Sequence, residues 1–285
     1  MNQVYVTDLD GTAFSDRGVF SYYTQETIKG LVKEGVNFTV ASGRGNYAIN
    51  ILRAFRLKLP IILLNGATMY DFGKQQFIMS KSIAPRVVRD VLRATKNQKL
   101  DFSKMRVLIK SNLRDMEQRD YNGGDVLVIH FRGEEQKVRA IAGKIKDIGG
   151  LETFVFPSHS SRGDWYCEIN VEGASKKDSI SWLKSEYNFD KVTVFGDSDN
   201  DIGMAEVANV FCVTENGTDS TKAVATKIIG ANSTDSVAKY IYYDYKNSKP
   251  IRALLSKTGV WMFKNPAVIK EIENVENIGV NERKF

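Results

Sequence analysis

An apolar run that ends abruptly in a polar cluster and passes into a helix-forming stretch recurs along this 285-residue chain, and that order constrains the fold most. Val4-Tyr5-Val6 leads into Thr7-Asp8-Leu9-Asp10-Gly11-Thr12, Val36 to Ala41 into Ser42-Gly43-Arg44, and Pro60 introduces Ile61 to Leu64. Between them, Ile28, Leu31 and Val32 share one helical face, with Thr24 as the expected cap and Gly35 as the stop. Ile49, Leu52 and Phe55 mark a second helix. Strand, helix, strand, helix, strand predicts a parallel sheet with helices on its faces, an α/β fold.

The rhythm breaks after residue 80. Residues 81–164 carry an Arg/Lys-rich helical pattern (Val87, Val88, Val91, Leu92), strand-like runs at Met105–Ile109 and Val126–Phe131, a helix through Val138, Ile141, Ile145 and Ile148, and a strand over Thr153–Phe156. This predicts a separate α+β insert, left through a Ser-rich linker from Pro157 to Gly163 that contains Arg162. The alternation then resumes with a helix over Ser175–Tyr187 and the strand Val192 to Phe195, which ends in Gly196-Asp197-Ser198-Asp199-Asn200-Asp201. The expected division is a discontinuous core, 1–80 with 165–245, an insert at 81–164, and an extension at 246–285. That extension holds Trp261, Met262 and Phe263 in a polar setting and receives no role.

Strand C-terminal ends of an open parallel sheet lie along one edge, where ligands bind, so clusters some 190 residues apart converge there. Asp8 and Asp10, at i and i+2 of an extended segment, point to one side. Two carboxylates so close require a cation between them or a shared proton, and oxygen-rich clusters suit a hard ion such as Mg²⁺. Asp197, Asp199 and Asp201 offer more ligands of that type. The plainer alternative, turn dipeptides and helix caps, competes for either cluster alone but explains the pair less well. Ser42-Gly43-Arg44 offers a hydroxyl, an open N–H and a cation at a helix start, which suits an anion; a Ser cap beside a solvated Arg is the alternative. Lys176 and Lys177 open a helix against its dipole, a cost that an anion would offset, although a solvated surface pair also fits Lys177.

Gly43-Arg44-Gly45-Asn46-Tyr47-Ala48 also matches a G-x-G-x-x-A dinucleotide fingerprint, which would make the chain an oxidoreductase. That motif wants an acid at the next strand end, where this chain has Leu64-Asn65-Gly66, with Asp71 only nearby. No P-loop is present. His130 in an apolar strand and His159 in the linker have no Cys or His at zinc-ligand spacing. Neither thiol nor serine hydrolase chemistry has support. Two cysteines, Cys167 and Cys212, read as reduced thiols, and no apolar run reaches the roughly 18 residues of a membrane span.

With these residues assembled, the chain resembles the haloacid dehalogenase-like superfamily of phosphohydrolases. Asp8-Leu9-Asp10-Gly11-Thr12 looks like its first motif, Ser42 its second, Lys176 its third and Gly196 to Asp201 its fourth, in order. The six-residue acidic run and Asn65-Gly66-Ala67 look like the Cof-type branch, whose large α/β cap (type IIB) is inserted between the second and third motifs. The resemblance covers about residues 1–243. It implies a Rossmann-like core with helices on both faces of the sheet and an inserted cap over the site. Asp8 would be the nucleophile and Asp10 the general acid and base. Mg²⁺ would be held by Asp8, the Asp10 carbonyl and Asp197, with Asp201 behind them. Ser42, Gly43 and Lys176 would bind the phosphoryl group, while Thr12, Arg44, Asn65, Gly66 and Asn200 orient site and substrate. Lys176-Lys177 departs from the Lys-Gly usual in the family.

The implied activity is Mg²⁺-dependent hydrolysis of a small phosphorylated metabolite such as a sugar phosphate, with a phosphomutase on the same scaffold as the alternative. No nucleic-acid or membrane partner is expected, and the protein is expected to be cytoplasmic. The net charge of +6 fits this: residues 81–164 hold 17 basic and 11 acidic residues, so the whole surplus lies on the insert, and a basic lid would attract anionic substrates.

Overall fold

The structure is a computed structural model that describes residues 2–96, 102–109, 112–117, 120–158 and 163–248. His159, Arg162, Trp261, Met262 and Phe263 lie outside the described residues. By compactness the chain divides into Met1–Tyr242 and Tyr243–Phe285; the described part of the second unit is the end of the last helix.

The central sheet is parallel: β1 (Gln3–Thr7) lies between β2 (Asn37–Val40) and β11 (Lys191–Gly196), followed by β12 (Val210–Thr214) and β13 (Lys227–Ile229). Asp8 and Asp197 follow neighbouring strands whose register runs from Gln3↔Lys191 to Thr7↔Phe195, so their loops emerge side by side. These strands are almost continuously apolar because both sheet faces are covered. Val4, Val6, Val192 and Val194 are at most 1% exposed, packed with Ile180 and Leu183 of α5 (Lys176–Glu186). The helices α1 (Tyr22–Lys33) and α2 (Asn46–Leu52) fall where the spacing predicts, but the α1 cap is Ser21, whose Oγ accepts the Thr24 N–H at 2.9 Å. Thr24 sits inside the first turn and gives its hydroxyl to Asp235, 2.8 Å away.

The strand β3 (Ile61–Leu63) touches the parallel sheet through the single bridge Ala41↔Ile62 and turns into an antiparallel meander with β4 (Thr68–Asp71) and β5 (Gln76–Ser80). Asp71 Oδ1 accepts the N–H groups of Gly73 and Lys74 in the β4–β5 turn, the role of a turn former.

A second, antiparallel sheet follows, in the order β7 (Asn112–Glu117), β6 (Phe102–Ile109), β8 (Val126–Gly133), β10 (Trp165–Val171), β9 (Leu151–Pro157). The helices α3 (Pro85–Thr95) and α4 (Glu135–Ile145) complete it, and α4 packs on β8, β9 and β10. Its core gathers Val88, Val91, Phe131, Ile141, Cys167 and Ile169. One expectation needs correcting: β10 pairs with β8 and β9, so a boundary at 164/165 would cut through this sheet. The linker signal at 157–163 falls between β9 and β10, two strands of this sheet, and 159–162 lie outside the described residues. The chain returns to the parallel layer only after Val171. Then α6 (Asp219–Ala223) and α7 (Ser236–Ser248) follow. Among the described residues no helix is long and apolar enough to cross a membrane.

Candidate active site

The site starts where β1 stops. Asp8 is the last extended residue, and its N–H still donates to Phe195 O of β11 at 2.9 Å. The chain then closes a tight turn over Leu9–Ala13, with Phe14 N–H on Leu9 O at 2.7 Å. Gly11 sits there at φ +76°, and a Cβ on it would stand 2.3 Å from Asp197 Oδ2. The turn therefore presses its backbone against the loop after β11, and only glycine permits that approach.

Carboxylate oxygens of Asp8, Asp197 and Asp201 lie within 4.8 Å of one another, and all three residues are buried. Lys176, 2% exposed, bridges two of them: Nζ donates to Asp8 Oδ1 and Asp201 Oδ1, each at 2.7 Å. Thr12 Oγ1 donates to Asp197 Oδ1 at 2.7 Å. Asp201 Oδ2 accepts the N–H groups of Asp197 (3.0 Å) and Ser198 (3.2 Å), so both Asp201 oxygens are engaged in holding Lys176 and the loop. Burial lifts the Asp8 carboxyl well above its usual range against the opposing pull of Lys176. Burial, then Asp201, pushes Asp197 up to about 7. Burial alone would make Lys176 easier to deprotonate, but Asp201 and Asp8 outweigh it and hold its proton more tightly than usual.

On the outer side, Arg44 grips Asp10: Nε donates to Oδ2 and Nη2 to Oδ1, both at 2.6 Å. That bond raises the Arg44 pKa further. The guanidinium carbon lies 5.4 Å from the Phe14 ring centroid and 4.5 Å from that of Tyr47. Asp10, Arg44 and Tyr47 line a cavity of about 620 Å³ that reaches Arg17, Asn216 and Asn232. A second, of about 380 Å³, runs between Arg44–Tyr47 and Leu113 and Asp115 of β7, where Asn46 Nδ2 donates to Leu113 O at 2.8 Å. Ser42 is buried just after β2, and its Oγ accepts the Arg44 N–H at 3.2 Å in a local turn; it does not cap α2, whose N-cap is Gly45.

After β3, Leu64, Asn65 and Gly66 all have positive φ (51°, 52° and 108°). A Cβ on Gly66 would stand 2.1 Å from Ser175 O, so this turn abuts the start of α5 and the Lys176 backbone. Ser175 caps α5 in a reciprocal arrangement with Asp178, which aims Lys176 inward. Lys177 turns away to Glu206, 3.1 Å distant, so only one of the paired lysines joins the cluster. Gly43 passes close to the Asn65 amide. Asn200 Nδ2 donates to Asn65 Oδ1 at 3.2 Å. Asp199 stays apart from the carboxylate group: it accepts hydroxyl bonds from Thr218 and Ser220 near α6.

Glu168 was not signalled by any motif. It lies 2% exposed on β10, and its Oε1 accepts from Asn65 Nδ2 at 2.7 Å. The available sign was a carboxylate inside the otherwise apolar run Trp165 to Ile169.

A family model for haloacid dehalogenase-like hydrolases matches residues 5–241. The chain is 25% identical to the 5-amino-6-(5-phospho-D-ribitylamino)uracil phosphatase YitU of Bacillus subtilis, over 82% of this chain and 94% of the relative. It is 24% identical to the pyridoxal phosphate phosphatase YbhA of Escherichia coli, over 84% and 97%. In fold it is similar to a haloacid dehalogenase-like hydrolase from Bacteroides thetaiotaomicron (TM-score 0.70, 19% identity, 86% of this chain and 100% of the other). It is also similar to a subclass IIB sugar phosphatase (TM-score 0.68, 16% identity, 85% and 99%). With a family match that spans both the parallel core and the inserted sheet, the chain belongs to the haloacid dehalogenase-like hydrolases.

Proposed function

We propose that this hydrolase is a Mg²⁺-dependent phosphatase that cleaves a small phosphorylated metabolite through an aspartyl-phosphate on Asp8. The observation that carries the reading is the buried group of Asp8, Asp197 and Asp201 with Lys176 bonded to two of them, beside a more accessible Asp10. Relatives named as phosphatases of a ribitylaminouracil phosphate and of pyridoxal phosphate support a phosphate monoester as the substrate class.

In this reading an Asp8 carboxylate oxygen attacks phosphorus, and the bond from phosphorus to the ester oxygen breaks. Asp10 gives a proton to that leaving oxygen. In the second half Asp10 takes a proton from water as the water oxygen attacks phosphorus; the Asp8–phosphorus bond breaks, and inorganic phosphate leaves. Asp10 can do this only after exchanging its two bonds to Arg44 for the substrate, which makes Arg44 available to the bound molecule. Lys176 and Ser42 would bind phosphoryl oxygens, and Lys176 also keeps the carboxylates together.

The donor set is all oxygen, buried and short of positive charge, which fits a hard divalent cation. Asp8, the Asp10 carbonyl and Asp197 would hold Mg²⁺, with Asp201 steadying the loop and Lys176. A bound Mg²⁺ would supply positive charge against the phosphoryl oxygens. The antiparallel sheet, residues 81 to about 171 on the strand assignments, would serve as the cap over this edge, with the parallel layer as catalytic core. Its cavity toward Arg44 and Tyr47 would hold the leaving group.

Asp8→Asn removes the nucleophile at almost no change in volume. Turnover of p-nitrophenyl phosphate with Mg²⁺ is expected to vanish while the circular dichroism stays native. A variant that hydrolyses at the wild-type rate would overturn the mechanism.

A further inference from the structure

Successive side chains of β10 face opposite ways, as strand geometry requires. Cys167 and Ile169 enter the core of the antiparallel sheet, while Glu168 and Asn170, on the other face, both reach the Leu64-Asn65-Gly66 turn of the parallel layer. Asn170 Nδ2 donates to Leu64 O at 3.3 Å and to Ala174 O at 3.1 Å. Glu168 takes the Asn65 amide nitrogen at 2.7 Å, and its second oxygen lies 3.5 Å from Nδ1 of His130, its cross-strand partner on β8.

The bonds continue toward the site. Asn65 Oδ1 accepts from Asn200, Asn200 Oδ1 accepts from Ser198 Oγ at 2.8 Å, and Ser198 N–H is one of the two backbone donors on Asp201 Oδ2. The Asn65 backbone joins Ser42 O at 3.0 Å. Only one orientation of the Asn65 amide works: its NH₂ must face the carboxylate and its oxygen the Asn200 donor, because the flipped amide would set oxygen against oxygen and NH₂ against NH₂. The carboxylate thus selects one orientation of a side chain that sits on a left-handed, strained backbone.

We propose that Glu168 is a positioning residue: from the inserted sheet it sets Asn65, and through Asn65 the loops that carry Ser42, Asn200 and Asp201. Its role in turnover rests on the phosphatase reading above; its role in placing the loops does not. Glu168 touches no reacting atom. Its loss should therefore lower kcat with little change in the KM of a small aryl phosphate.

The test uses the full chain with Glu168→Ala, Glu168→Gln, Asn65→Ala and the Glu168→Ala/Asn65→Ala double. On p-nitrophenyl phosphate with Mg²⁺, E168A and N65A should each lose roughly thirtyfold in kcat, about 2 kcal/mol, with KM within about threefold. E168Q, which keeps a neutral acceptor, should lose less, about threefold to tenfold. The double should be no worse than the worse single, because Asn65→Ala already removes the bond that Glu168→Ala removes, together with the one from Asn200. Hydrogen exchange should quicken together in peptides spanning 62–68 and 197–202. Multiplying effects in the double, wild-type kcat in E168A, or faster exchange confined to β8, β9 and β10 would overturn the proposal. If E168A does not fold, the E168Q rates and exchange decide in the same way. A wild-type protein inactive on every phosphate ester tried would overturn the phosphatase reading, and the exchange pattern would still decide whether Glu168 places the loops.

Discussion

Arg44 holds Asp10 through two parallel hydrogen bonds of 2.6 Å, although 34 residues separate them and each sits on a different loop of the strand edge. The pair is only partly exposed, and a planar guanidinium matches a carboxylate in a way that an ammonium cannot. In the proposed mechanism the guanidinium, once released by Asp10, binds the substrate instead, so Arg44→Lys should lower kcat/KM roughly tenfold to a hundredfold, the equivalent of one charged hydrogen bond to the bound molecule, and Arg44→Ala at least as much. Steady-state rates on an aryl phosphate, with native circular dichroism as control, check this.

Lys176 is the cation that the buried carboxylates share. Lys176→Met leaves Asp8 and Asp201 without it, and breaking such buried pairs costs about 3–5 kcal/mol. The loss should be larger at pH 7.5 than at pH 5, because at the lower pH the already raised Asp8 carboxyl can take a proton instead. Urea unfolding at the two pH values measures the difference.

Asp197 carries a folded-state pKa of about 7, against 3.8 for the ordinary group. Between those values the folded state binds a proton that the unfolded chain has released, so stability falls as pH rises through that window. Metal-free protein should melt at a lower temperature at pH 7.5 than at pH 5, by up to about 3 kcal/mol in stability, since about two pH units of that window lie between them. Mg²⁺ should restore most of that at pH 7.5 and little at pH 5, since it competes with the protons. Asp197→Asn should flatten the pH dependence.

Gly66→Ala should destabilise by about 2–4 kcal/mol and impair turnover, because the new methyl group would meet Ser175 O at 2.1 Å and the backbone sits at φ +108°. Gly30→Ala is the contrast: its site on α1 is open, so about 0.5–1 kcal/mol of added stability is expected. Thermal unfolding distinguishes the two.

Much of this was legible in the sequence for a physical reason. Strand-to-cluster transitions at Asp8, Ser42 and Asp197 place those residues on one edge once a parallel sheet is inferred, and period-2 and period-3.6 apolar patterns are local signals. The β4–β5 meander and the β10 pairing were not legible. The strand Trp165–Val171 was not legible in its residues at all, and its partners depend on contacts with distant strands. The α1 cap is Ser21 and not Thr24, and Asp235, more than 200 residues away in the chain, accepts both hydroxyls.

The sequence by itself determined the order of elements and which carboxylates, hydroxyl and lysine stand at strand and helix ends, because short-range patterning carries that information. Only the tertiary structure decided that Lys176 and not Lys177 is buried, that Asp199 turns away, that Arg44 closes on Asp10, and that Glu168 reaches Asn65 from the other sheet. Each of those outcomes is a contact between segments that only packing brings together.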